Sequence, residues 1–336
     1  MEAGQVAERV PSAIGERVKE SLRRRPWVGA VGVILAIFIA LVIGEGLHAV
    51  AQTGLNGLSL GAIYALGAVG LTLVYGILKL VNFAHGDFLT FGAYMAYLVN
   101  VTWGAPLVVA VFWAMIMTAL LGLLFERLLW GPMRQKHAGF LQLILMSIGL
   151  AFLLRAVVQW FWGTEIRLLD VNTTSTVELL GLRIGQTELI VVIVGVSVLV
   201  AVGVLLKLTV LGKQMRALSD NLELAETTGI DTRRVILYTW IFAGGLAGLA
   251  GVLAGAITNL RPELGFELLL PIFAAVILGG IGDAFGALAA GLVLGVVTEW
   301  STLIIDARWK VAVGFLILVI VLIVRPQGIF GRAKAI

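Results

Sequence analysis

Residues 50–78 read VAQTGLNGLSLGAIYALGAVGLTLVYGIL, an apolar run without Asp, Glu, Lys, Arg or His. About 20 such residues cross a bilayer as a helix, so the run spans a membrane and is too long for one straight crossing. Nine further apolar segments lie around it: Trp27–Gly44, Phe88–Val101, Pro106–Phe125, Phe140–Trp162, Leu189–Leu206, Val235–Thr258, Leu268–Ile281, Phe285–Ile305 and Val311–Val324. Phe88–Val101 and Leu268–Ile281 fall short of the usual length, which predicts that some segments are broken or re-entrant. The fold class that follows is all-α, a polytopic membrane helix bundle with about 8–10 transmembrane or re-entrant helices.

Composition agrees. Of 336 residues 60% are apolar and 13% charged, against roughly 45–50% and 25% in soluble proteins. The 41 glycines follow no Gly-X-Y period; in an apolar chain such an excess serves close helix packing. Cysteine is absent and the three histidines, His48, His85 and His137, are far apart, so disulfides, thiolate zinc sites and local histidine metal motifs have no basis. No metal site and no cofactor is expected, and the net charge of +4 does not imply nucleic acid.

The basic residues orient the chain. If all ten segments cross, 18 of the 24 Lys and Arg fall on one side, in 1–26, at Lys79, and in 127–137, 207–234 and 325–336. The positive-inside rule then places both termini in the cytoplasm. Three regions result: a basic cytoplasmic segment 1–26, a transmembrane domain 27–325 with a cytoplasmic loop 207–234, and a tail 326–336. Trp27–Gly44 exceeds the 7–15 apolar residues of a signal peptide and reads as an uncleaved anchor. Val10, Ile14, Val18 and Leu22 recur every four residues among Arg and Lys, which suits a helix on an anionic leaflet and equally a solvated tail.

Asn82-Phe83-Ala84-His85-Gly86-Asp87 is the densest polar cluster near the membrane. Polar groups there mark a pathway, or else a helix break whose Asp87 caps the next helix. Gly57 and Gly61 stand in small-xxx-small spacing within Gly54–Tyr64 and read mainly as helix packing. Gly282-Asp283, followed by Phe285-Gly286-Ala287, echoes Gly86-Asp87 followed by Phe91-Gly92-Ala93 with a two-residue shift, which reads as a weak internal repeat or equally as a chance similarity. In the loop, Asp220–Asp231 reads as a short polar helix ended by Gly229. Leu222 and Ala225, three apart on one side, form a docking surface in one reading; a solvated loop is the other.

These motifs together resemble a family. Gly57–Tyr64, Leu73–Leu78, Asn82–Asp87, Leu278–Ala287 and the ending Arg325-Pro326-Gln327-Gly328-Ile329-Phe330-Gly331 are similar to the membrane permease subunit of bacterial branched-chain amino acid ABC importers, the LivH type. The resemblance runs from about His48 to Gly331 and leaves 1–44 as an addition. It implies two cytoplasmic ATP-binding cassette ATPase subunits, a second permease subunit that is a different protein, an external solute-binding protein, and residence in the bacterial inner membrane among its lipids. Glu223-Leu224-Ala225, three residues, then Gly229 looks like the EAA loop that docks a short helix in the ATPase. Glu223, Leu224, Ala225, Gly229 and Ile230 are therefore the expected coupling residues, with Leu224 departing from the usual middle alanine. Asn56, Tyr64, Asn82, His85 and Asp87 are the expected path or gate.

The chain itself is read as non-enzymatic. Gly212-Lys213-Gln214 is no Walker A loop, so ATP must be hydrolysed elsewhere. The alternative is an ion-coupled secondary transporter of small polar solutes, which needs a deeply placed ionisable residue; Arg155 and Glu299 are the candidates within spans. The substrate side chain is not legible from the sequence.

Overall fold

The computed structural model describes residues 26–172, 174–179, 181–325 and 328–329; the four-residue periodicity of Val10–Leu22 lies outside them. All ten apolar segments are helices. They are α1 (Pro26–Glu45), α2 (Leu47–Leu78), α3 (His85–Tyr97), α4 (Leu107–Phe125), α6 (Phe140–Trp162), α7 (Gln186–Leu208), α10 (Thr232–Ile257), α11 (Leu264–Gly279), α12 (Ala284–Trp300) and α13 (Lys310–Val324). Short α5 (Gly131–Gln135), α8 (Val210–Asp220) and α9 (Leu222–Thr227) connect them, with a two-stranded antiparallel hairpin of β1 (Thr176–Leu179) and β2 (Leu182–Gly185). Among the described residues, six helices are long and apolar enough to cross a membrane. The chain divides at Val50/Ala51 into two units, the first holding α1 and the start of α2.

Of the long apolar helices among the described residues, the two most buried are less hydropathic than the three least buried. The apolar windows of α2 and α10 are 89% and 83% buried with mean hydropathies of 1.8 and 1.9. Those of α4 with its extension, α6 and α7 are 22–28% buried with mean hydropathies of 2.2–3.2. Lipid is as apolar as leucine, so burial in a membrane protein is driven by close packing, and small residues take the interior. Helix α10 lies along α3 and α4, and α11 along α12, α3 and α13.

The glycines explain how close the helices come. A Cβ on Gly57 would stand 2.6 Å from Val296 Cα, one on Gly61 2.8 Å from Leu292 O, and one on Gly291 2.6 Å from Ala65 Cα. The small-xxx-small pair of α2 thus meets a matching pair, Gly291 and Gly295, on α12, and the packing reading of Gly57 and Gly61 holds. Helices α3 and α11 cross with Gly86 against Gly265, where either Cβ would overlap the other residue's carbonyl. Gly251 of α10 meets the backbone of Leu89 in the same way.

Residues 50–78, expected to be too long for one straight span, lie in a single unbroken helix of 32 residues, Leu47–Leu78, about 48 Å long against a hydrocarbon core of about 30 Å. The surplus is used at one end: Gln52 exchanges hydrogen bonds with the backbone of Arg183 on β2, accepting from its N–H at 2.9 Å. At the other end Lys79 takes a left-handed conformation (φ 53°), and the chain stays non-helical until α3. Of the two short segments, α11 remains short with 16 residues, whereas the 13 residues of α3 run on directly into a five-residue π-helical turn, Leu98–Thr102. Two distant motifs dock on each other: Ile329 N donates to Leu278 O at 2.7 Å, and Gly328 (φ 79°) lies against Ile277.

Candidate functional site

The polar cluster sits where α2 ends and α3 begins. Asn82, His85 and Asp87 are 0%, 2% and 1% exposed. Asn82 holds the turn into α3, its Oδ1 accepting from Ala84 N at 3.1 Å and its carbonyl from His85 N at 3.2 Å. Phe83 N donates to Ser147 Oγ of α6 at 3.2 Å. His85 Nε2 lies 2.9 Å from the carbonyl of Gly67, a bond from α3 back into the middle of α2. No side chain caps α3, so the capping reading of Asp87 is not what the structure shows. Its Oδ1 instead accepts from Arg155 Nε of α6 at 3.2 Å, and the guanidinium lies over the Phe266 ring, 4.7 Å from the centroid. By contrast, Asp283 in the echoing motif does cap its helix, accepting from Phe285 N and Gly286 N; the two Gly-Asp pairs play different local roles.

Two buried polar atoms of this cluster, Asn82 Nδ2 and Asp87 Oδ2, have no hydrogen-bond partner among the described residues. A buried polar group left unpaired costs roughly 1–3 kcal/mol.

The other expected path residues lie elsewhere. Asn56 is half-buried one turn from Gln52 and the hairpin, with its carbonyl accepting from Ser59 Oγ at 2.7 Å. Tyr64 lines a cavity of about 10 Å³ with Pro271, Thr298, Lys310 and Phe315, room for about one water. Of the five, His85, Asn82 and Asp87 come together, while Asn56 and Tyr64 do not join them.

The loop 207–234 is ordered as two helices. Thr209 caps α8 through Gly212 N, and Asn221 caps α9 through Leu224 N. Gly229 ends the turn at φ 84°, with its N–H on Glu226 O and Ile230 N on Ala225 O. The sequence reading of a short helix closed by a left-handed glycine matches this geometry. The orientation is new: Ala225 is 4% exposed and joins the chain's own apolar core, whereas Leu224 is 62% exposed and Glu223 is exposed beside it. Ala225 therefore seats α9 on the rest of the chain, and the outward apolar group is Leu224.

Both in-span ionisable residues are paired, Arg155 with Asp87 and Glu299 with Lys310. A third buried network was missed by the sequence reading. Glu126, in a π-helical turn (Glu126–Trp130) after α4, accepts from Trp240 Nε1 at 2.7 Å and pairs with Arg134. Trp130 stacks on Trp240 with centroids 6.4 Å apart and planes at 4°. The one available signal was a Glu eight residues before an Arg at the end of an apolar run.

Similarity to known proteins fits this architecture. Residues 54–322 match the family described as branched-chain amino acid transport system / permease component. The high-affinity branched-chain amino acid transport system permease protein LivH of Escherichia coli K12 is 32% identical over 297 residues, covering 84% of this chain and 96% of the relative. BraD of Pseudomonas aeruginosa, with the same description, is 29% identical with the same coverage. A probable branched-chain amino acid transport permease protein LivH of Methanocaldococcus jannaschii is 28% identical, covering 80% and 89%. The chain is thus a multi-pass membrane permease: it belongs to the branched-chain amino acid transport system permease component family. The match begins at Gly54, so α1 lies before it.

Proposed function

We infer that this chain is the transmembrane permease subunit of an ABC importer for branched-chain or related amino acids. It works beside a second permease subunit of different sequence, two separate ATPase subunits and an external solute-binding protein, in a bacterial inner membrane with both termini in the cytoplasm. The observation that carries the reading is the family match across residues 54–322, supported by an ordered helical loop at 207–234 that presents Glu223 and Leu224 outward. A mere anchor has no need of such a loop.

The mechanism follows from the parts. ATP-driven closure of the ATPase pair pulls on α9, with Leu224 and Glu223 as contacts and Gly229 setting the chain direction into α10. Because Ala225 fixes α9 to the permease core, the pull passes into α10 and so to α3 and α4, which pack along it. The glycine crossings at Gly86–Gly265 and Leu89–Gly251 put backbone on backbone, without side chains between to absorb a displacement. The Asn82–Asp87 turn, at the start of α3 and next to the Gly86–Gly265 crossing, is then the gate that responds. The permease contributes gating, and the external protein chooses the substrate.

Uptake into vesicles carrying the full complex tests this. It should require ATP and persist when an uncoupler collapses the proton gradient at constant ATP. Uptake abolished by the uncoupler would establish an ion-coupled transporter instead.

A further inference from the structure

We propose that the groove between α4 and α10 is a binding site for one anionic phospholipid, with its phosphate at Arg127 and Arg234 and an acyl chain along the apolar floor. A cavity of about 480 Å³ opens there, lined among others by Leu120, Leu124, Arg127, Arg234, Tyr238 and Ile241. Leu120, Leu124, Tyr238 and Ile241 are 51%, 48%, 47% and 37% exposed, so the groove is open along its length. Ile241 also lines a second cavity of about 380 Å³, whose walls include Met115, Ile116 and Gly245 together with Val198 and Leu205 of α7.

The polarity is graded in one direction. All the charge lies at one end, and the remaining groove is apolar but for the Tyr238 hydroxyl. From Arg234 to Gly245 the helix rises about 16 Å, half of a hydrocarbon core of about 30 Å. The groove therefore has the depth of one leaflet and carries its charge where a headgroup lies. That pattern matches a lipid; a soluble phosphate compound would not need the apolar half.

Electrostatics selects the sign. Arg127 follows Glu126, which is turned inward to Trp240 and Arg134, and is left exposed; it forms no ion pair among the described residues. Arg234 pairs with Asp231 through Nε at 2.9 Å, and the cavity lining itself carries the two arginines and no carboxylate. Basic pockets between membrane helices at a bilayer surface favour anionic headgroups. The position gives the lipid leverage: Asp231 also caps α10 through Arg234 N, two residues beyond Gly229. A phosphate at Arg234 thus sits at the joint between the loop 207–234 and α10.

The test is native mass spectrometry of the full-length permease in mild detergent, titrated with phosphatidylglycerol or with phosphatidylcholine of the same acyl chains. Phosphatidylglycerol should be retained, by about fivefold per arginine and about thirtyfold for the pair, over phosphatidylcholine. Arg127→Gln with Arg234→Gln should bring it down to the phosphatidylcholine level, and Leu124→Trp should reduce both lipids by filling the groove. Inorganic phosphate should not displace the bound lipid; displacement would make the site one for free phosphate and overturn the proposal. A photoreactive acyl-chain phosphatidylglycerol on the unaltered protein should label residues 115–127 and 234–245, which keeps the test independent of how the variants fold. Equal retention of the two lipids, labelling spread over all apolar helices, or loss of label when the ATPase subunits bind, which would mean that protein covers the groove, would each sink it.

Discussion

Arg155 donates from Nε to Asp87 Oδ1 at 3.2 Å, joining α6 to the first turn of α3 across 68 positions of chain. Asp87 is 1% and Arg155 16% exposed at the side chain, so each is the other's main compensation for leaving water. Removing one partner of such a pair typically costs 3–5 kcal/mol, whereas replacing both by apolar residues is often neutral. Asp87→Leu and Arg155→Met should each lower the monodisperse fraction that survives heating in detergent, and the double substitution should recover most of it. A double variant as weak as the single ones would show that the contact acts through something other than charge.

The Asn82 turn separates gate from scaffold. Asn82→Leu removes the acceptor for Ala84 N, a loss of about 1–3 kcal/mol for a buried N–H left unpaired; Asn82→Asp keeps an oxygen there. We expect Asn82→Leu to lower uptake per folded molecule in reconstituted vesicles with the ATPase still bound. A loss that merely follows the yield of folded protein would assign Asn82 a structural role only.

The glycine crossings give sharply position-dependent outcomes. Gly265→Ala and Gly291→Val put a side chain into backbone at the crossings with Gly86 and Ala65, and should abolish folded protein in fluorescence-detected chromatography. A Cβ on Gly149 would meet only open space, and an alanine in a helix is favoured over glycine by about 0.8–1.0 kcal/mol. Gly149→Ala should equal or exceed the parent. If all three behave alike, the close approaches described for α11 and α12 are wrong.

The loop 207–234 offers two separable lesions. Leu224→Asp alters an outward residue and should release the ATPase subunits, or uncouple hydrolysis from uptake, with normal insertion. Ala225→Trp would lift α9 off the core that Ala225 enters, and Gly229→Val would place a β-branched residue at φ 84°, a conformation such residues rarely adopt; both should uncouple as well. Variants at 224 and 229 that transport like the parent with the ATPase bound would leave 207–234 as a solvated loop.

Much of the fold was legible because a membrane imposes a length rule and a hydropathy rule on each segment separately. The ten apolar runs, the shortness of Leu268–Ile281 and the turn at Gly229 all follow from residues close together in the chain. The pairing of Arg155 was not legible: nothing local ties it to an aspartate 68 positions away. Likewise Asp87 and Asp283 occupy similar local sequence, yet one enters an ion pair and the other caps a helix, because α6 brings an arginine to the first.

The sequence by itself determined that this chain is a helical membrane protein, which segments are its helices, and to which permease family it is similar, since each of these depends on composition and local order. Only the tertiary structure decided that the glycine-rich α2 and α10 form the interior while the more hydropathic α4, α6 and α7 stand outside. It also decided that Ala225 faces inward and Leu224 outward. The physical reason is the same in each case: between apolar helices in lipid, what selects neighbours is how closely two backbones can approach and which polar groups find partners, and both are properties of pairs of residues remote in sequence.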